Sequence, residues 1–374
     1  MRTRILLPLV AASLSWVSFA CGTDPAGTGD VLPDAGNTSP DGGQHPADAG
    51  DPDAGQSMDA GTDDWTWVDV PESACGNGAP TGFGINVSDR SSDLFLYLQG
   101  GGACWNTQTC FQLKTATHIE TGYGKAEFEN EPLTGPFAVD RAAPTNPLRD
   151  MSWAFVPYCT GDVHSGDAVA TYGARQVHHK GGKNMEAFLE DLSAMLPNTT
   201  RVFLSGSSAG GFGAQINYER VLQAFPSAEV HVLADSAQMI NPSGTLLATW
   251  MTTWNSAPPT GCPDCLEDFT KLPAYLADTY PDRRFGLLAF DRDQTLSFFF
   301  SLSQDAFATE TLSLLSSVYD GRSNAKYFLK SGAQHTMLGA LDTTTSSVGV
   351  TLNDFVTDWV NGDEGWESVS EVAP

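Results

Sequence analysis

The sequence predicts an α/β fold built on a mainly parallel sheet flanked by helices, and three observations carry that expectation. Continuous apolar runs of four to six residues recur along the chain, as strands buried on both faces require. Segments with apolar residues at helical spacing separate them. A Gly-x-Ser-x-Gly turn joins one such run directly to one such segment. The chain has 374 residues, 41% of them hydrophobic, enough for a sizeable core. Its formal charge of −26 excludes electrostatic binding to phosphate backbones, so no nucleic-acid partner is expected.

Residues 1–21 begin with Arg2 and Arg4, continue through a short apolar stretch, and end Ser18-Phe19-Ala20-Cys21. This is the pattern of an export signal. Its end resembles a bacterial lipobox, which makes Cys21 the expected lipidation site, with ordinary secretion as the alternative. Residues 22–64 hold ten Asp and no Lys or Arg, with Asp-Ala-Gly recurring at 34–36, 48–50, 53–55 and 59–61. Such a segment cannot bury enough apolar surface to offset chain entropy and is expected to be a disordered acidic linker. Removing those ten negative charges and the two arginines leaves −18 on residues 65–374, read as one domain. Any membrane association is expected through the N-terminal anchor alone.

Within that domain, strands are expected at 94–98, 153–157, 201–204, 230–233, 285–290 and 326–329. Met185, Phe188, Leu189, Leu192 and Leu196 mark one helix. A second is expected over 209–225, and a third carries Leu352, Phe355, Val356, Trp359 and Val360, stopped by Asn361-Gly362. Setting Cys21 aside, six cysteines remain, so disulfides are the default in an exported chain. Cys104 and Cys110 suit a local loop bridge. Cys262 and Cys265 suit a tight bridge or half a metal site. That leaves Cys75 with Cys159. No second Cys-x-x-Cys and no His-x-x-x-His completes a zinc site, so neither metal nor cofactor is expected.

Gly206-Ser-Ser208-Ala-Gly210 follows the run ending at Leu204. A nucleophilic serine needs a sharp turn that bulky neighbours would obstruct, and the helix behind it supplies free N–H groups. Ser208 is the expected nucleophile. Gly100-Gly101-Gly102 follows an earlier strand, and backbone N–H groups there can approach a developing oxyanion. Gly101 and Gly102, with Ala209, are the expected donors. Downstream of Ser208 only His231 and His335 remain as general base. His231 lies inside an apolar strand pattern, so His335, in a loop after the last strand, is preferred. For the carboxylate that orients it, Asp291 at the end of strand 285–290 is preferred. Asp293, which reads as an exposed turn residue, and Asp235, which reads as a cap, are alternatives.

Leu98-Gln-Gly-Gly-Gly-Ala-Cys-Trp105, Pro157-Tyr-Cys-Thr-Gly-Asp162, Gly206-Ser-Ser-Ala-Gly-Gly211, Phe290-Asp-Arg-Asp-Gln294 and Gln334-His-Thr336 together resemble the pectin acetylesterase family. The resemblance runs over roughly 65–360. It implies an α/β-hydrolase-type fold, ester hydrolysis, a triad of Ser208, Asp291 and His335, and an oxyanion hole at Gly101, Gly102 and Ala209. It also supports the pairs Cys104–Cys110 and Cys75–Cys159. Ala103 and Asp291-Arg-Asp-Gln depart from the family pattern and alter the pocket wall. The expected partner is an ester substrate, an acetyl ester on a polysaccharide or a longer acyl ester, turned over by a monomer. Phe298-Phe-Phe300, Met239, Ile240 and Trp250 could line a deep acyl pocket, although core packing is the simpler reading. A surface glycan binder using Trp65 and Trp67 is the rival from another class.

Overall fold

The computed structural model describes residues 65–130 and 140–372. The expected export signal, Cys21 and the acidic linker lie outside the described residues. Among these residues a sheet of nine strands runs β1 (Thr66–Val70), β2 (Thr81–Asn86), β4 (Ser152–Val156), β3 (Asp93–Leu98), β7 (Arg201–Ser207), β8 (Glu229–Asp235), β9 (Phe285–Phe290), β10 (Ala325–Lys330), β11 (Val369–Ser370). From β4 to β11 every neighbouring pair is parallel; β2 pairs antiparallel with both β1 and β4. A separate hairpin joins β5 (Ala168–Tyr172) to β6 (Arg175–His179).

The six expected strands are β3, β4, β7, β8, β9 and β10. Side-chain alternation explains why their runs are apolar on both faces with few exceptions. Leu94, Leu96, Leu98, Val202, Leu204, Val230 and Val232 point into one core, whereas Phe95, Phe203, Leu233, Leu288 and Phe328 point into a second core on the opposite face. β1 and β2 carry no continuous apolar run, because β1 is half exposed and β2 is broken by Gly82 and Gly84. Those glycines are demanded by packing: a Cβ at Gly82 would stand 1.9 Å from the Val68 carbonyl oxygen, and one at Gly84 would stand 2.3 Å from the Phe128 ring.

Helices α1 (Lys125–Asn130), α2 (Gly181–Met195), α3 (Ala209–Ile216), α4 (Tyr218–Ala224), α5 (Leu246–Trp254), α6 (Lys271–Thr279), α7 (Gln294–Phe300), α8 (Gln304–Leu314) and α9 (Leu352–Asn361) complete the fold. The helix expected over 209–225 is two, broken at Asn217, whose side-chain amide donates to the carbonyls of His164 and Gly213. Helix α9 covers the second core with Leu352, Phe355, Val356, Trp359 and Val360. Thr351 caps its start, accepting from Asp354 N at 3.0 Å, and Gly362 ends it in the left-handed conformation at φ 72°. Disulfides join Cys75–Cys159, Cys104–Cys110 and Cys262–Cys265. No described helix is long and apolar enough to cross a membrane.

Trp65 and Trp67 are half-buried and belong to the packing of the sheet edge. Trp65 packs against Phe128 and Trp153, and Trp67 against Tyr123 and Phe128, with the strand-β1 backbone holding both on the edge of an aromatic cluster.

Candidate active site

Strand β7 runs straight into α3, and Ser208 occupies the junction at φ 57°, ψ −124°. A serine holds this backbone only where its surroundings enforce it. The enforcement is visible in the glycines. A Cβ at Gly206 would lie 2.4 Å from the Gly210 carbonyl group, and one at Gly210 would lie 1.9 Å from the Leu98 carbonyl oxygen. The Gly-x-Ser-x-Gly pattern therefore lets the turn press against the end of β3. Ser208 N donates to the Asp235 carbonyl at 2.8 Å, which fixes the turn to β8 as well.

The glycine-rich loop lies against this turn: a Cβ at Gly100 would come within 3.1 Å of the Ser208 Cβ. Gly102, at φ 78°, lines one cavity together with Ser208 and Ala209. Gly101 packs over Thr117 and Tyr158, and its carbonyl accepts from Thr117 N at 2.9 Å. Among the described residues no hydrogen bond takes up the N–H groups of Gly101, Gly102 or Ala209. The loop is braced from behind by His164, whose Nε2 lies 2.9 Å from the Gln99 carbonyl oxygen. It is braced from its far end by the Cys104–Cys110 bridge.

His335 sits in the loop after β10, and its Nδ1 lies 2.8 Å from Oδ2 of Asp293. The ring is thus paired with Asp293 and not with the preferred Asp291. Asp291 is still in sheet register, its N–H bonded to the Lys330 carbonyl, and its Oδ1 accepts from Gly332 N at 2.8 Å. Its carboxylate thus anchors the start of the histidine loop and does not reach the ring. Asp293 has turned out of the sheet to cap α7, with Oδ1 accepting from Leu296 N at 2.9 Å. That leaves Oδ2 for the imidazole, and the carboxylate is fully buried, not an exposed turn residue. The readable signal was an Asp immediately before a helical pattern at 294–300. An ionised carboxylate only accepts, so Nδ1 carries the proton and Nε2 is left as the acceptor.

Asp235, the other alternative for the orienting carboxylate, makes no bond to the imidazole among the described residues and is instead a junction. Its carboxylate accepts from Ser207 Oγ at 2.7 Å, Met337 N at 3.0 Å and Leu338 N at 3.0 Å, so it touches both the turn at 207–208 and the loop that carries His335.

The other downstream histidine is a core residue. His231 is buried in β8 beside Phe203, and its Nδ1 accepts from Arg284 N at 3.1 Å. Burial, with the charges of Arg284, Arg283 and Arg201, lowers its pKa to about 3. The Glu229 carboxylate, 3.7 Å from Nε2 and half exposed, does not offset that burial. A folded pKa below the unfolded value of 6.5 means that acid protonates the unfolded chain first, so stability is complete above pH 6.5 and declines as pH falls toward 3. This residue alone is expected to withdraw about 2 kcal/mol between pH 7 and pH 5. His231→Asn, whose amide oxygen can accept from Arg284, should flatten that part of the profile in urea unfolding; an unchanged slope would contradict a neutral buried imidazole.

The cavity beside Ser208 is apolar and narrow. Its wall includes Ala103, Trp250, Trp254, Phe269, Phe299 and Phe300. It is a small cavity of about 30 Å³. Trp250, Phe299 and Phe300 thus serve core and cavity at once, Met239 and Ile240 are buried in the core, and Phe298 is exposed. Cys104, Cys110 and His179 come within ligand distance of one another, but the sulfurs are bonded to each other and the His179 nitrogens face the Thr160 carbonyl and the Tyr172 hydroxyl. Those donors are spent.

A family model described as Pectinacetylesterase matches residues 62–256, more than half of the chain. The chain is similar to the palmitoleoyl-protein carboxylesterase NOTUM of Mus musculus, 28% identical over 209 residues covering 49% of this chain and 37% of that protein. The Homo sapiens counterpart is 26% identical over 190 residues, 45% of this chain and 34% of that protein. Pectin acetylesterase 11 of Arabidopsis thaliana is 26% identical over 164 residues, 43% and 39% of the two chains. The matched region thus spans little more than a third of each relative. The family match contains the glycine-rich loop and Ser208, while Asp293 and His335 lie beyond its end. With the hydrolase-type sheet, the serine turn and this match in place, the chain belongs to the pectinacetylesterase family.

Proposed function

We propose that the protein is an exported serine carboxylesterase that hydrolyses short acyl esters, with Ser208 as nucleophile, His335 as general base and Asp293 as its orienter. The observation that carries the reading is the 2.8 Å contact between Asp293 and His335 Nδ1 in a loop bound, through Asp235, to the turn that presents Ser208. His335 Nε2 takes the hydroxyl proton as Ser208 Oγ bonds to the acyl carbon. The oxyanion that forms is met by backbone N–H groups of the 101–102 loop and Ala209. Collapse expels the alcohol, which receives the proton from the imidazolium. Water, deprotonated by the same imidazole, then releases the acid and frees Ser208. A fluorophosphonate probe should label Ser208 stoichiometrically; labelling elsewhere, or none, would defeat the assignment.

The cavity favours a small acyl group such as acetyl. A longer chain must displace Trp250, Trp254, Phe299 or Phe300, and overpacking of this kind costs about 1–3 kcal/mol. For p-nitrophenyl acetate against the octanoate, kcat/KM is expected to favour acetate by about 10–100-fold. A preference for octanoate would assign the site to longer acyl esters, the class named for the NOTUM relatives. An acetylated polysaccharide such as pectin suits a short acyl group, and the name of the Arabidopsis relative points the same way. Three disulfides fit an oxidising compartment, consistent with export and with a lipid anchor at Cys21.

A further inference from the structure

Resting on that esterase reading, we infer that Asp235 is a positioning residue that holds the nucleophile turn and the histidine loop in mutual register. It is the last residue of β8 and fully buried. Toward the nucleophile it makes two contacts: its carbonyl accepts from Ser208 N at 2.8 Å, and Oδ2 accepts from Ser207 Oγ at 2.7 Å. Toward the base, Met337 N donates to both carboxylate oxygens, at 3.0 and 3.1 Å, and Leu338 N donates to Oδ2 at 3.0 Å. The neighbouring Ser236 adds a further tie, its Oγ accepting from Thr336 N at 2.9 Å. Three consecutive N–H groups after His335 are therefore satisfied by two consecutive residues, the first of which also holds Ser208.

Backbone conformation shows what these bonds hold in place. Ser208, Ser236 and Thr336 all have positive φ, at 57°, 50° and 66°. Each such position costs on the order of 1–3 kcal/mol and persists only where the surroundings over-determine it, the more so for a β-branched threonine. Asp293 fixes the ring of His335 through Nδ1 and caps α7 from the β9–α7 junction, and among the described residues its carboxylate makes no hydrogen bond to the serine turn. Asp235 bridges the two loops directly. Burial pushes its carboxyl pKa up, and the donors from Leu338, Ser207 and Met337, with the charge of His335, oppose that rise. The site suits a carboxylate best. An asparagine with its oxygen at the Oδ2 position keeps the bonds from Ser207 Oγ, Met337 N and Leu338 N, but its NH₂ then faces Met337 N where Oδ1 had accepted at 3.0 Å; turned the other way, it sets donor against donor at Leu338 N.

The test is steady-state hydrolysis of p-nitrophenyl acetate by the full chain, with active sites counted by fluorophosphonate titration. Asp235→Asn is expected to lower kcat per titrated site by about 10–100-fold, the effect of a misplacement near 1 Å, with KM changed less than about twofold. Ser236→Ala and Ser207→Ala, which each remove one tie, should lower it by about 3–10-fold. A merely structural role would reduce the number of titratable sites and leave kcat per site unchanged, and that result would overturn the inference. If Asp235→Asn does not fold, the two serine variants decide: wild-type kcat per site in both overturns it, and a loss in either supports it. Failure of the underlying reading is separate, because then Ser208→Ala itself would remain active. If Ser208→Ala is dead while Asp235→Asn turns over normally, only the positioning role falls.

Discussion

Ser208→Ala is expected to lower kcat for p-nitrophenyl acetate by at least about 10⁵-fold while leaving the fold intact. The size follows from the arrangement of the site. Removing the nucleophile abolishes the acyl-enzyme route, and what survives is the contribution of the oxyanion donors and of binding, about 10³–10⁴ over water in a comparable serine hydrolase. Alanine at this position keeps the Cβ and faces the same positive φ that serine already tolerates. The bonds that shape the turn are made by the Ser208 backbone and by the Ser207 side chain, not by the Ser208 hydroxyl. Urea unfolding should therefore shift by less than about 0.5 kcal/mol. A variant within tenfold of wild type, with the same fold, would show that another group does the chemistry.

The parts of this architecture that were readable in the sequence share one property: a local rule decides them. Strands β3, β7, β8 and β9 are buried on both faces, so their centres are apolar at nearly every position and stand out. The serine turn is legible because three steric demands, at Gly206, Ser208 and Gly210, fall within five residues. What was not legible depends on partners far away in the chain. Strand β2 needs glycines because Val68 and Phe128 press on it, which no local pattern announces. The role of Asp235 depends on Met337 and Leu338, about a hundred residues downstream. The cavity is closed by Phe299 and Phe300, in which core packing and substrate contact are the same surface. Asp291 and Asp293 differ by two residues, and strand order favours the first. The helix cap turned the choice to the second, because capping rotates the carboxylate out of the plane of the sheet.

That choice has a sharp consequence. Asp293→Asn is expected to lower kcat by about 10³–10⁴-fold, and Asp291→Asn by less than about tenfold. At 293 the asparagine remains a good helix cap, so Leu296 N keeps an acceptor and the amide oxygen is drawn to it. The NH₂ then faces His335 Nδ1. A donor there stabilises the tautomer with its proton on Nε2, and a protonated Nε2 cannot accept from Ser208. The defect is one of tautomer and not of shape, so kcat should fall far more than affinity, and higher pH should restore little. At 291 the carboxylate is engaged with Gly332 N at the base of the loop, and asparagine can present its amide oxygen to the same N–H. The imidazole keeps its partner, and only the fit of the loop is disturbed. Measuring kcat and KM for both variants on one ester separates the two carboxylates directly. Equal losses, or a larger loss at 291, would mean that the histidine changes partner during turnover and that the 2.8 Å contact with Asp293 is not the working one.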